Sequence, residues 1–163
     1  MRGRTSRPRG VAGLLAVAAV TAATALAGSV AGDFESTWYR RLHKPSWQPS
    51  GRTIGLVWTG LYALTAASAV LFLRAPGRGP RRLLGGLFGL QYLLNAAFTP
   101  IFTRRRDLAL ATVDSALLCA TLSLLTGLGW RVRRVAAALL LPSVAWTAFA
   151  TFLSWRLLRL NRR

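Results

Sequence analysis

Five stretches of the chain lack lysine and arginine and stay apolar for about 20 residues, the length that crosses a bilayer. They cover approximately residues 11–31, 53–73, 83–103, 107–129 and 135–155. Only the fourth holds acidic residues, with Asp107 at its mouth and Asp114 inside. The pattern predicts helices over 11–31, 53–73, 83–103, 107–129 and 135–159, between basic tails at 1–10 and 160–163. Most connectors are short, so consecutive helices should be antiparallel neighbours. The fold class expected is all-α. It is a five-transmembrane-helix bundle forming one domain over 11–159, with a structured loop between helices 1 and 2.

That first connector, residues 32–52, departs from the rest. Its stretch 38–49 reads WYRRLHKPSWQP. Trp38, Tyr39 and Trp47 supply apolar ring area for packing on the helix ends. Pro45 and Pro49 fix φ and lower the entropy lost on ordering. Arg40, Arg41 and Lys44 add cations. A membrane-interface belt accounts for single rings, but the cluster points to an ordered lid.

Composition agrees with a membrane protein. Of the residues, 53% are hydrophobic and only 16% charged, against roughly a quarter charged in soluble domains. The net charge of +18 raises nucleic-acid binding as a possibility, and its distribution argues against it. Basic residues sit in tails, loops and helix ends, as in Arg81-Arg82 and Arg104-Arg105-Arg106, where anionic lipid headgroups lie. The 22 basic residues divide evenly between the two ends of a five-span bundle, so the positive-inside rule assigns no orientation. The first run resembles a signal peptide, but its length and the spans that follow favour a retained helix. Cys119 is the sole cysteine, which excludes an intrachain disulfide. No internal repeat is visible, unlike the paired halves of many secondary transporters. The arginine- and alanine-rich composition suggests a GC-rich bacterial source and a location in the cell membrane.

Polar and aromatic residues inside the spans suggest a pocket. Trp58 and Tyr62 are four apart, as are Gln91 and Asn95, so each pair shares a helix face. Phe98, Asp114, Trp146 and Phe149 complete the set. Amides and carboxylates in hydrocarbon need a partner or a cavity. At 1.5 Å per residue, Trp58, Asn95, Asp114 and Trp146 fall in one layer roughly 7–14 Å below the first connector. The expectation is one ring-lined cavity under that lid. Gly85 and Gly89 form a GxxxG pattern that allows close helix approach, within the bundle or between two copies. His43, the only histidine, is read as a loop residue. With no His or Met inside a span, paired axial haem ligation is unavailable, and no metal site is expected. No hydrolytic triad is visible.

WYRRLHKPSWQP, TIGLVWTGLYAL, QYLLNAAF, ATVDSALL and LLLPSVAWTAFATFLSWRLLRLN together resemble the TspO/MBR family in order and spacing, over roughly residues 36–161. That family includes the tryptophan-rich sensory proteins and the translocator protein, or peripheral benzodiazepine receptor. The resemblance implies five membrane helices, frequent dimers, and binding of porphyrin or haem as ligand with no obligatory cofactor. It implies porphyrin handling in stress. It also implies that Trp58 and Trp146 match the pocket tryptophans linked to light-dependent porphyrin breakdown. Asn95 then matches a pocket amide, and Gln91 stands where another polar residue is found. Trp38, Lys44, Pro45, Trp47 and Pro49 match the lid. Ser50, Thr99, Pro100 and Ser143 depart from the family pattern, and the C-terminal stretch lacks the tyrosine of a proposed sterol-contact motif. Three readings follow: a tetrapyrrole-binding membrane protein, a photo-oxidative porphyrin-degrading enzyme, or a transporter of porphyrin or another amphiphile. In each, rings would stack on the macrocycle while Arg40, Arg41, Lys44 or Arg52 pair with its propionates. Membrane lipid and a second copy of the chain, meeting at Gly85 and Gly89, are the other partners expected.

Overall fold

The computed structural model describes residues 17–24, 36–75 and 81–162, without the side chain of Arg81. The described residues are helical, with no strand among them. Residues 17–24 form α1. The following elements are α2 (Thr37–Arg41), α3 (Gly51–Leu73), α4 (Arg81–Thr103), α5 (Leu108–Trp130), α6 (Arg134–Ala138) and α7 (Leu141–Leu160).

Three helical stretches are long and apolar enough to cross a membrane: Gly51–Leu73, Leu108–Trp130 and the α6–α7 stretch Arg134–Leu160. Helix α4 matches α3 in length at 23 residues. It is less apolar because Arg81, Arg82, Gln91 and Asn95 lie within it. Apart from 17–24, the span expected at 11–31 lies outside the described residues.

Helix α5 is the centre of the bundle and packs against α4, α6 and α7, while α3 packs against α6 and α7. Its inward face carries Ala111, Leu118, Leu122 and Leu125, all buried. Around them gather Phe72, Phe88 and Leu140. The Phe72 ring lies where a side chain at Gly129 would begin, so this ring of α3 reaches α5 only because position 129 lacks a Cβ. Asp107 caps α5, its carboxylate accepting from the Leu110 N–H at 2.8 Å. That arrangement is favoured at a helix N-terminus.

The sequence pattern predicts one unbroken helix over 135–159. The structure instead breaks it between Ala138 and Leu141. Pro142 has no N–H and its ring crowds the carbonyl four residues earlier. The Leu140 N–H bonds to the Ala137 carbonyl at 3.0 Å, leaving the Ala136 carbonyl without that donor. The Ser68 hydroxyl, fully buried on α3, donates to it at 2.7 Å. A kink in the last helix is thereby tied to α3. A buried carbonyl that loses its donor is destabilising, although interhelical hydrogen bonds in membranes average below 1 kcal/mol. Ser68→Ala is therefore expected to lower stability by about 1 kcal/mol, read as an earlier midpoint of detergent-induced unfolding. Ser123→Ala, which removes an exposed hydroxyl bonded within its own helix, should leave that midpoint in place.

Candidate functional site

Residues 36–50, leading into α3, are ordered by local chemistry. Ser36 caps α2, accepting from the Tyr39 N–H at 3.3 Å. The Gln48 N–H closes a turn onto the Pro45 carbonyl at 3.0 Å. Ser50 caps α3, accepting from the Thr53 N–H at 3.1 Å. A hydroxyl at position 50 thus starts the helix.

Rings then fasten this connector to the bundle. Trp38 and Tyr39 meet Phe102 edge-on, with centroids 5.7 and 6.1 Å away, and Phe102 stacks on Phe98 at 5.8 Å. Trp47 stacks on Phe152 at 5.5 Å and meets Phe149 edge-on at 5.9 Å. Phe149 lies 5.2 Å from Trp146. Such pairs are each worth about 0.5–1.5 kcal/mol beyond burial. The Gln48 amide donates to the Tyr39 hydroxyl at 2.9 Å. Arg106, in left-handed backbone at φ 56, brings its guanidinium over Trp38 at 5.8 Å.

Beneath lie two adjoining cavities. The upper, of about 90 Å³, is bounded by Tyr39 and Gln48 of the connector and by Phe98, Phe102, Trp146 and Phe149. The lower, of about 50 Å³, is bounded by Trp58, Asn95, Phe98, Thr99, Ser115 and Thr147. Phe98 and Ala150 wall both. These volumes are well below the roughly 300 Å³ at which ligand pockets begin, so neither space holds a macrocycle without rearrangement.

The predicted single cavity is therefore divided. Trp58 and Asn95 share the lower part, Trp146 lines the upper, and Asp114 lines neither. Tyr62 lies 5.7 Å from Trp58, ring to ring, and donates its hydroxyl to Asn95 at 2.6 Å. Gln91 and Asp114 are buried, and their Nε2 and Oδ2 atoms have no hydrogen-bond partner among the described residues. Trp47 lies on the outer side, 43% exposed. Arg40, Arg41 and Arg52 are exposed. Lys44 places Nζ 4.1 Å over the Tyr39 ring. Gly85 and Gly89 are exposed, and a Cβ at either would touch nothing among the described residues. Gly89 borders an open groove with Val20, Ala23, Thr24 and Tyr92, and Tyr92 also bonds to the Thr21 hydroxyl at 2.8 Å.

Several contributors escaped the sequence reading: Gln48, Phe102, Ser115, Thr147 and Asn161. Phe102 follows Phe98 by one helical turn, a spacing that was legible. Asn161 resembles an ordinary helix end. In the structure its side chain accepts from the His43 N–H and donates to the His43 carbonyl, both at 3.0 Å. His43 itself is exposed.

Comparison with known proteins gives the same answer as the motifs. The family model described as TspO/MBR family matches residues 14–160. Tryptophan-rich protein TspO of Bacillus cereus is 40% identical over 133 residues, 82% of this chain and 86% of that protein. Uncharacterized membrane protein YtaB of Bacillus subtilis is 34% identical over 151 residues, 93% of this chain and 97% of that protein. The human Translocator protein is 35% identical over 126 residues, 76% of this chain and 75% of that protein. With its long apolar helices, the chain is a multi-pass membrane protein, and it belongs to the TspO/MBR family.

Proposed function

We propose that this protein is a five-span tetrapyrrole-binding protein of the bacterial cell membrane that handles porphyrin or haem under stress. The observation that carries the reading is the pair of ring-walled cavities beneath the connector, with Trp58 below, Trp146 above and Phe98 between them. A porphyrin is a flat π system with two propionates. Indole and phenyl faces suit its plane, and the exposed Arg40, Arg41 and Arg52 suit its carboxylates at the rim. Lys44 can serve there too if it leaves the Tyr39 ring. Binding requires the two cavities to merge, and the ring contacts of Phe98 are the partition that moves.

The test is a titration of purified protein with protoporphyrin IX in the dark, followed by tryptophan quenching. Trp146→Ala is expected to raise Kd roughly two- to tenfold, the worth of one aromatic pair. Unchanged affinity in both Trp146→Ala and Trp58→Ala would remove stacking from the account.

A second reading is photo-oxidative degradation, favoured by the contact of Trp58 with Tyr62 and of Tyr62 with Asn95. Excited porphyrin would take an electron from an adjacent indole and pass it to dioxygen, giving superoxide and an indole radical cation, with dioxygen the oxidant for the macrocycle. Under lamp and air, the wild type is expected to convert protoporphyrin IX to a new absorbing species. The Trp58→Phe, Trp146→Phe double variant should bind it but not convert it. Equal conversion rates would make these residues walls of a binding site only.

The open face at Gly85 and Gly89 suits a second copy of the chain, because nothing described fills the space beside either glycine. Gly85→Leu or Gly89→Leu is expected to yield folded monomer in detergent by light scattering. Retained dimer would place the contact elsewhere.

A further inference from the structure

The connector is held over the upper cavity in two different ways. Its rings lean on Phe102, Phe149 and Phe152. Ring contacts of this kind prefer offset or edge-on geometries. A directional tie lies elsewhere, between His43 and Asn161, which are 118 positions apart in sequence. The Asn161 carboxamide lies against the His43 backbone as a paired strand residue would, accepting from its N–H and donating to its carbonyl, each bond 3.0 Å long. Its amide nitrogen also donates to the Leu157 carbonyl at 2.8 Å, which holds the carboxamide in position at the end of α7. His43 lies just beyond the end of α2, in the segment that joins Tyr39 and Gln48, the connector's two contributions to the cavity wall. Asn161 itself lines neither cavity.

We infer that Asn161 is the latch of this lid: its paired hydrogen bonds to the His43 backbone set how often the connector lifts from α7, and so how fast the cavity exchanges its occupant. Carboxamide chemistry is what the position demands. Only a side chain with an acceptor and a donor side by side satisfies both the N–H and the carbonyl of one residue. Both bonds are solvent-exposed, so their net worth is modest. The latch therefore acts on a rate and leaves the fold intact. Because the tie involves only lid and helix-end groups and would be remade over a bound molecule, losing it should raise association and dissociation rates together. A wall residue behaves differently, since its loss changes Kd.

The cavity occupant in this account rests on the tetrapyrrole reading, so the first measurement uses no ligand. In a Cys119→Ser background, Ala150→Cys places a thiol in the wall of both cavities. Its reaction with a water-soluble maleimide then reports opening. Adding Asn161→Ala is expected to speed labelling about tenfold. Asn161→Asp retains the acceptor for the His43 N–H and loses the donor, and should give an intermediate rate. Amide exchange across 36–50 should accelerate in parallel, with that of α5 unchanged. Labelling and loop exchange at the wild-type rate in Asn161→Ala would overturn the latch. Acceleration throughout the bundle would also overturn it, by showing a general loss of stability. The second measurement is stopped-flow exchange of protoporphyrin IX. Both rate constants should rise about tenfold with Kd changed less than twofold, and a raised Kd without faster exchange would overturn the gating role. If the wild type binds no porphyrin, the tetrapyrrole reading fails while the labelling result still decides for or against the latch.

Discussion

The site takes its shape from the ring of Phe102. This side chain is 4% exposed near the end of α4. Two connector rings rest against it, and it stacks in turn on Phe98, which walls both cavities. A loop at a membrane surface would ordinarily keep its polar backbone in water and stay mobile. Here α2 internalises part of that backbone, and the rings provide apolar area to bury. The lid and the cavity partition are therefore one packed unit. Whatever displaces Phe98 is felt at Phe102, and through it at Trp38 and Tyr39.

Helix positions were legible because basic residues cannot sit in mid-bilayer and so mark the span ends. Rotation about each helix axis was less legible. The depth argument placed Asp114 level with Trp58 and Asn95, yet the lower cavity is bounded by its neighbour Ser115. One residue is a turn of about 100° at nearly constant depth, so a correct layer can still give the wrong face. The break at Pro142 had a visible cause, but not a visible partner. Nothing in the one-dimensional pattern joins Ser68 to the Ala136 carbonyl, because that bond depends on how α3 lies against α6. Asn161 was invisible for the same reason. Its partner is a backbone group, and backbone groups leave no trace in residue identity.

The site carries unmet polar demand. Trp146 Nε1 and Gln48 Oε1, buried and belonging to residues that line the upper cavity, have no hydrogen-bond partner among the described residues. Burying such a group unpaired costs about 1–3 kcal/mol. Residues of the upper cavity thus carry a neutral donor and a neutral acceptor beside a ring-lined wall, while Arg40, Arg41 and Arg52 are exposed. This separation bears on what can be held. A molecule wholly apolar would leave both groups unmet, and one with its charge at the centre would be desolvated without a counter-ion. The flat ring system with neutral polar atoms inside and carboxylates at its edge that is proposed above would meet both conditions.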